Sequence, residues 1–103
     1  MARTQDTATH FQGEGLRLVF TAGVNARIVD EGKRFELFVY EALLRFTGGD
    51  WGDVDEHDRK VNEHALTSKG RLMSVYKSDD HATIWIITEW DRSVTTVLLP
   101  DEY

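Results

Sequence analysis

The chain has no cysteine among its 103 residues, which excludes a disulfide framework and thiolate catalysis and suits a reducing compartment. It has one proline, Pro100, placed where it stops the last predicted strand. Long apolar runs are also missing. The longest uncharged apolar stretch, Ala82 to Thr88, falls far below the roughly 20 residues that a membrane-spanning helix needs. The opening segment MARTQDTATHFQGEG lacks the apolar centre of a signal peptide and reads as a flexible tail over residues 1–15. Together these absences predict a cytoplasmic protein with no membrane partner.

Positive charge is scarce as well. The formal net charge is -6, and all of it lies in the second half: residues 1–49 hold six bases and six acids, residues 50–103 six bases and twelve acids. Nucleic-acid binding rests on cationic side chains that neutralise phosphates, so direct binding of DNA or RNA is not expected. A protein partner with a basic surface suits this balance better.

What the chain does have is enough apolar residue, 41%, to build one core without staples. Leu16, Leu18 and Phe20 alternate as in a short strand. Thr21 is placed to cap a short helical piece that runs through Val24 and Ile28 and ends near Gly32. From Lys33 to Phe46, the residues Phe35, Phe38, Val39, Ala42, Leu43 and Phe46 recur with helical spacing, and Gly48-Gly49 supplies the stop. Leu37, Tyr40 and Leu44 form a second apolar stripe beside the first, so this helix either lies centrally or meets another subunit. A second long helix is predicted from about Glu56 to Thr67, polar apart from Val61, Ala65 and Leu66.

Three strands follow, Arg71 to Lys77, Thr83 to Glu89 and Val94 to Leu99, joined by links of hairpin length. In the middle strand Ile84 and Ile86 point one way and Trp85 and Ile87 the other, so both faces need cover. The predicted order is β-α-α-β-β-β: a single α+β domain over residues 16–103, with two or three helices packed on a mostly antiparallel sheet that ends in a three-strand meander.

Residues 48–58 read GGDWGDVDEHD, with five acids and no base. The plainest reading is a helix start: Asp55 is a good N-cap, and Glu56 and Asp58 oppose the positive end of the helix dipole. As a calcium loop the stretch lacks the required Gly and the bidentate Glu. His57 and His64 stand two turns apart, roughly 10 Å, too far to share a zinc ion. No metal and no cofactor is therefore expected. Ser68, Ser74, Ser78 and Ser93 occur without a G-x-S-x-G turn, and Asp50 and Asp53 would repel a phosphate from the glycine-rich turn beside them.

One enzymatic reading has a chemical basis. The predicted order resembles that of the RelE-type toxin ribonucleases, and Arg71, Lys77, Arg92, Tyr76 and Tyr103 would have to surround a phosphate with Glu89 as proton acceptor. Those toxins are basic, and this chain is not. The tryptophans pose a separate choice. Trp85 belongs to the core; Trp51 and Trp90 lie in turns among acids, where packing is favoured over partner binding about two to one because each has a large apolar surface to hide.

The motifs FTAGVN, GDWGDVDEHDRKVNEHAL, GRLMSVY and IWIITEWDRSVTTVLLPDEY resemble a family of small bacterial proteins carried on plasmids and other mobile elements. Its members are labelled plasmid-related or, loosely, restriction-system subunits, and the resemblance spans Leu16 to Tyr103. Where relatives tend to read ITEADRS, this chain has Trp90 in place of the small residue. The resemblance carries no family-wide activity and no catalytic residue. It implies a non-enzymatic, acidic protein-binding module, of the kind that blocks a nucleic-acid-targeting host defence complex in the manner of anti-restriction or anti-CRISPR proteins. The residues expected to bind are Asp50, Trp51, Asp53, Asp55, Glu56 and Asp58, aided by Asp79, Asp80, Trp90 and Asp91. A self-associating protein, such as a homodimer, is the remaining alternative beside the toxin.

Overall fold

Alternation of apolar side chains sorts the C-terminal strands into one sheet in the computed structural model, which describes residues 9–10 and 17–103. Strands β3 (Leu72–Tyr76), β4 (Ile84–Thr88) and β5 (Val94–Leu98) form the expected antiparallel meander. Ahead of them in the chain, β1 (Thr9–His10) pairs antiparallel with β2 (Arg17–Phe20), and β2 runs parallel to β5. The spatial order is β1-β2-β5-β4-β3. Three helices separate β2 from β3, a connection long enough for β2 to lie parallel to the last strand. Leu16, expected to open the first strand, and the expected tail over residues 1–15 lie outside the described residues, apart from Thr9–His10, which pair with β2 as an edge strand instead of belonging to a flexible tail.

The register places Leu72, Ser74 and Tyr76 on one face with Ile84, Ile86 and Val97, all of them buried. Helices α1 (Ala22–Glu31) and α2 (Lys33–Thr47) account for that burial. Thr21 caps α1 by accepting from the Val24 amide, as its sequence position predicts. Gly32 alone separates the two helices, with φ at +76°, a conformation open to glycine at little steric cost. From α2 the core takes Phe35, Val39, Ala42 and Phe46. Its second stripe stays outside: Leu37 is 60% and Leu44 73% exposed.

Helix α3 (Glu56–Ser68) buries only Asn62 and Ala65. It lies along the edge of β3, and Asn62 explains how a polar side chain can be buried there. Its Nδ2 donates to the Met73 carbonyl at 2.7 Å and its Oδ1 accepts from the Met73 amide at 3.0 Å. One side-chain amide thus does for Met73 what a neighbouring strand would do, and leaves no buried backbone group unpaired at that point.

The opposite face of the sheet carries Trp85, Ile87 and Leu98. A 3-10 turn, Pro100–Glu102, swings the Tyr103 ring to 5.3 Å from Trp85 and covers part of this face. The same turn ties the end of the sheet to the start of α1. Glu102 accepts from the Thr21 hydroxyl, the Gly23 amide and the Leu99 amide. Burial pushes this carboxyl up, but the three hydrogen bonds outweigh it and hold Glu102 below the ordinary glutamate range.

Candidate functional site

The acidic loop between α2 and α3 begins with a turn that its own side chains close. Asp50 accepts from the Arg45 Nε at 2.8 Å and from the Gly52 amide at 3.0 Å. The Arg45 bond first, and the Gly52 amide second, hold its carboxyl below the usual range. Arg45 in turn lies over the Tyr76 ring at 5.0 Å, and the Tyr76 hydroxyl donates to the Asp50 carbonyl at 2.8 Å.

Beyond this turn the loop becomes an extra edge of the sheet. Gly52 bridges Val75 in parallel, the Asp53 amide donates to the Val75 carbonyl, and the Val75 amide donates to the Trp51 carbonyl. The Asp53 carboxylate then accepts from the Lys77 amide at 2.9 Å. The outward backbone groups of Met73 and Val75 in β3 and of Lys77 just after it are therefore met in sequence by Asn62, by the loop backbone and by Asp53. Asp55 caps α3 by accepting from the Asp58 amide at 2.8 Å. Glu56 and Glu63 both pair with Arg59, and that bond lowers the Glu56 carboxyl.

Trp51 is a core residue, not a rim anchor. It is 5% exposed and meets the Phe46 ring edge to face at 5.6 Å. Its Nε1 has no hydrogen-bond acceptor among the described residues. The remaining residues expected to bind do not join the loop. Asp79 and Asp80 sit in the β3–β4 link and Trp90 and Asp91 in the β4–β5 link, which leave opposite ends of the antiparallel sheet. Asp91 accepts from the Ser93 hydroxyl and amide, and both bonds lower its carboxyl. Trp90 stands 62% exposed at that far end. The acids that share one stretch of the structure are Asp50, Asp53, Asp55, Glu56 and Asp58, and Asp50 is paired with Arg45 of α2, the helix that also carries the exposed Leu37, Tyr40 and Leu44.

The six residues of the ribonuclease reading divide between two faces. Tyr76 is fully buried on the helix side, where burial pushes its phenol up to about 12. Arg92 donates to the Ala65 and Gly70 carbonyls at 2.8 and 2.6 Å, closing the end of α3. Arg71, Tyr103 and Glu89 do meet on the other face. Arg71 donates to the Tyr103 hydroxyl at 3.0 Å and lies 4.0 Å from the Glu89 carboxylate. Lys77 is exposed at the end of β3. Among the described residues no three His, Cys, Asp or Glu side chains come together closely enough to hold a metal ion, and no helix is long and apolar enough to cross a membrane.

No protein-family model matches the chain, and no curated protein or solved structure matches it either. Functional inference therefore rests on the geometry.

Proposed function

We propose that this protein is a non-enzymatic binding module that engages a protein with a basic surface, through the loop from Asp50 to Asp55, the first turn of α3 and the outer stripe of α2. The observation that carries the reading is the exposure of Leu37 and Leu44, at 60% and 73%, on a helix whose inner side already fills the core. Large apolar side chains clustered on one exposed face and rimmed by charge are what partner-binding surfaces have in common. Asp53, Asp55 and Asp58 supply the rim, and their charge would set orientation and association rate. The mobile-element resemblance of the sequence suggests the setting: a protein that occupies the basic, nucleic-acid-handling surface of a host defence complex.

The test is affinity capture from the host, followed by binding measurements on the recovered partner. Replacing Asp53, Asp55 and Asp58 together by Asn keeps side-chain oxygens able to accept the Lys77 and Asp58 amide bonds but removes three charges. The expected result is a loss of about tenfold or more in affinity, and a wild-type affinity that falls as salt rises. Unchanged affinity in the triple variant would refute the acidic strip as the binding surface.

A further inference from the structure

The end of α2, the Gly48–Gly49 turn and the last turn of α3 stand apart above the sheet and leave a cleft of about 680 Å³. That is the size of pockets that take small molecules. Its walls are mainly apolar, from Phe46, Trp51, Leu66 and Leu72. Leu66 is 56% exposed on an otherwise polar stretch of α3, and the cleft is where that surface faces.

Two polar features break the apolar lining. Thr88 and Thr95 are register partners across β4 and β5, and their hydroxyls lie 2.8 Å apart. That contact consumes one of the two hydroxyl protons and leaves the other free to donate. The second feature is Arg92, which also lines the cleft. Its guanidinium donates to backbone carbonyls of Ala65, Gly70, Glu89 and Trp90. Arg27, Arg45, Arg59 and Arg71 each have a carboxylate partner; Arg92 has none among the described residues. A half-buried cation whose charge is met only by the partial charges of carbonyls, beside an apolar hollow and a spare hydroxyl donor, suits an apolar ligand with one anionic end.

We infer that this cleft binds a small, largely apolar monocarboxylate. Its hydrocarbon part lies against Phe46, Trp51, Leu66 and Leu72, and its carboxylate is directed to Arg92 and the threonine pair. The cleft shares Trp51 with the acidic loop but none of its carboxylates, and its test needs no protein partner, so it stands or falls independently of the protein-binding reading.

The experiment is an NMR titration of the full chain with octanoate and, separately, with octanol, following the Trp51 indole N–H and the Thr88 and Thr95 amides. Octanoate is expected to shift these signals saturably, with octanol about tenfold weaker. Leu66→Glu places an anion at the exposed rim and should weaken octanoate about tenfold, whereas the neutral Leu66→Gln should weaken it less. Both variants should keep the wild-type melting temperature, because Leu66 is largely in solvent. Absence of saturation up to about 10 mM octanoate, equal affinity for octanol, or equal losses in the two Leu66 variants would overturn the assignment.

Discussion

Gly52 shows how much of this molecule hangs on single backbone positions. Its φ is +74°, and a Cβ built there would lie 2.0 Å from the Val75 carbonyl oxygen. Gly52→Ala therefore combines a left-handed backbone penalty with a clash against the strand it bridges, and should destabilise the fold by roughly 2–4 kcal/mol in urea unfolding. Asn62 is the second such position. Asn62→Ala strips both partners from the buried edge of Met73 and should cost about 2–3 kcal/mol, read as a lower denaturation midpoint at unchanged slope. Neither role is visible in the sequence. Asn62 and Met73 are eleven residues apart, Gly52 and Val75 more than twenty, and a hydrogen bond of that kind leaves no periodic trace. Asp55 was legible because capping is local: the acceptor and the Asp58 amide it binds are three residues apart.

Elements were the most legible level. The apolar spacing of α2 and the alternation of β3, β4 and β5 are one-dimensional signals of burial, and each produced an element within about a residue or two of its prediction. The double apolar stripe of α2 was legible too, and its two halves separate in space: Phe35, Val39 and Phe46 go inward, Leu37, Tyr40 and Leu44 outward. Leu37→Glu with Leu44→Glu should accordingly change stability by no more than about 0.5 kcal/mol while weakening partner capture. If light scattering shows the wild type self-associating and this variant monomeric, the stripe serves a second copy of the chain instead. The acidic residues were harder to read as a group. Sequence proximity joined Trp51 to the acids around it, but its indole turns inward onto Phe46 because a ring of that size gains more from burial than a turn in water can offer. The links that carry Asp80 and Asp91 look alike in sequence, and only the direction of the meander shows that they emerge at opposite ends.

At the scale of the whole molecule, the turn after the last strand meets the start of the first helix. The Glu102 carboxylate sits at the amino end of α1 and holds Thr21 and Gly23, 81 and 79 residues away. Its folded pKa lies below the ordinary value of 4.5, so its contribution is fully present above that value and is lost as pH falls through the lower, folded one. Stability should stay level from neutral pH to about pH 5 and decline below it; Glu102→Gln should lower stability at neutral pH, and its difference from wild type should shrink by about pH 3. Urea midpoints across that range check both statements. The general α+β architecture was legible because helices and strands alternate in blocks. The parallel seating of β2 beside β5 was not, since strand order depends on which edges remain free once the helices have packed.

That seating has a consequence for biogenesis. β5 lies in the middle of the sheet, between a strand made early and one made just before it. A nascent chain that has emerged only as far as β4 has its helices but no middle to the sheet, and both β2 and β4 still offer open backbone. Closure must wait until Leu98 has cleared the ribosome. Synthesis that stalls earlier should yield a sticky, protease-sensitive fragment rather than a smaller working protein.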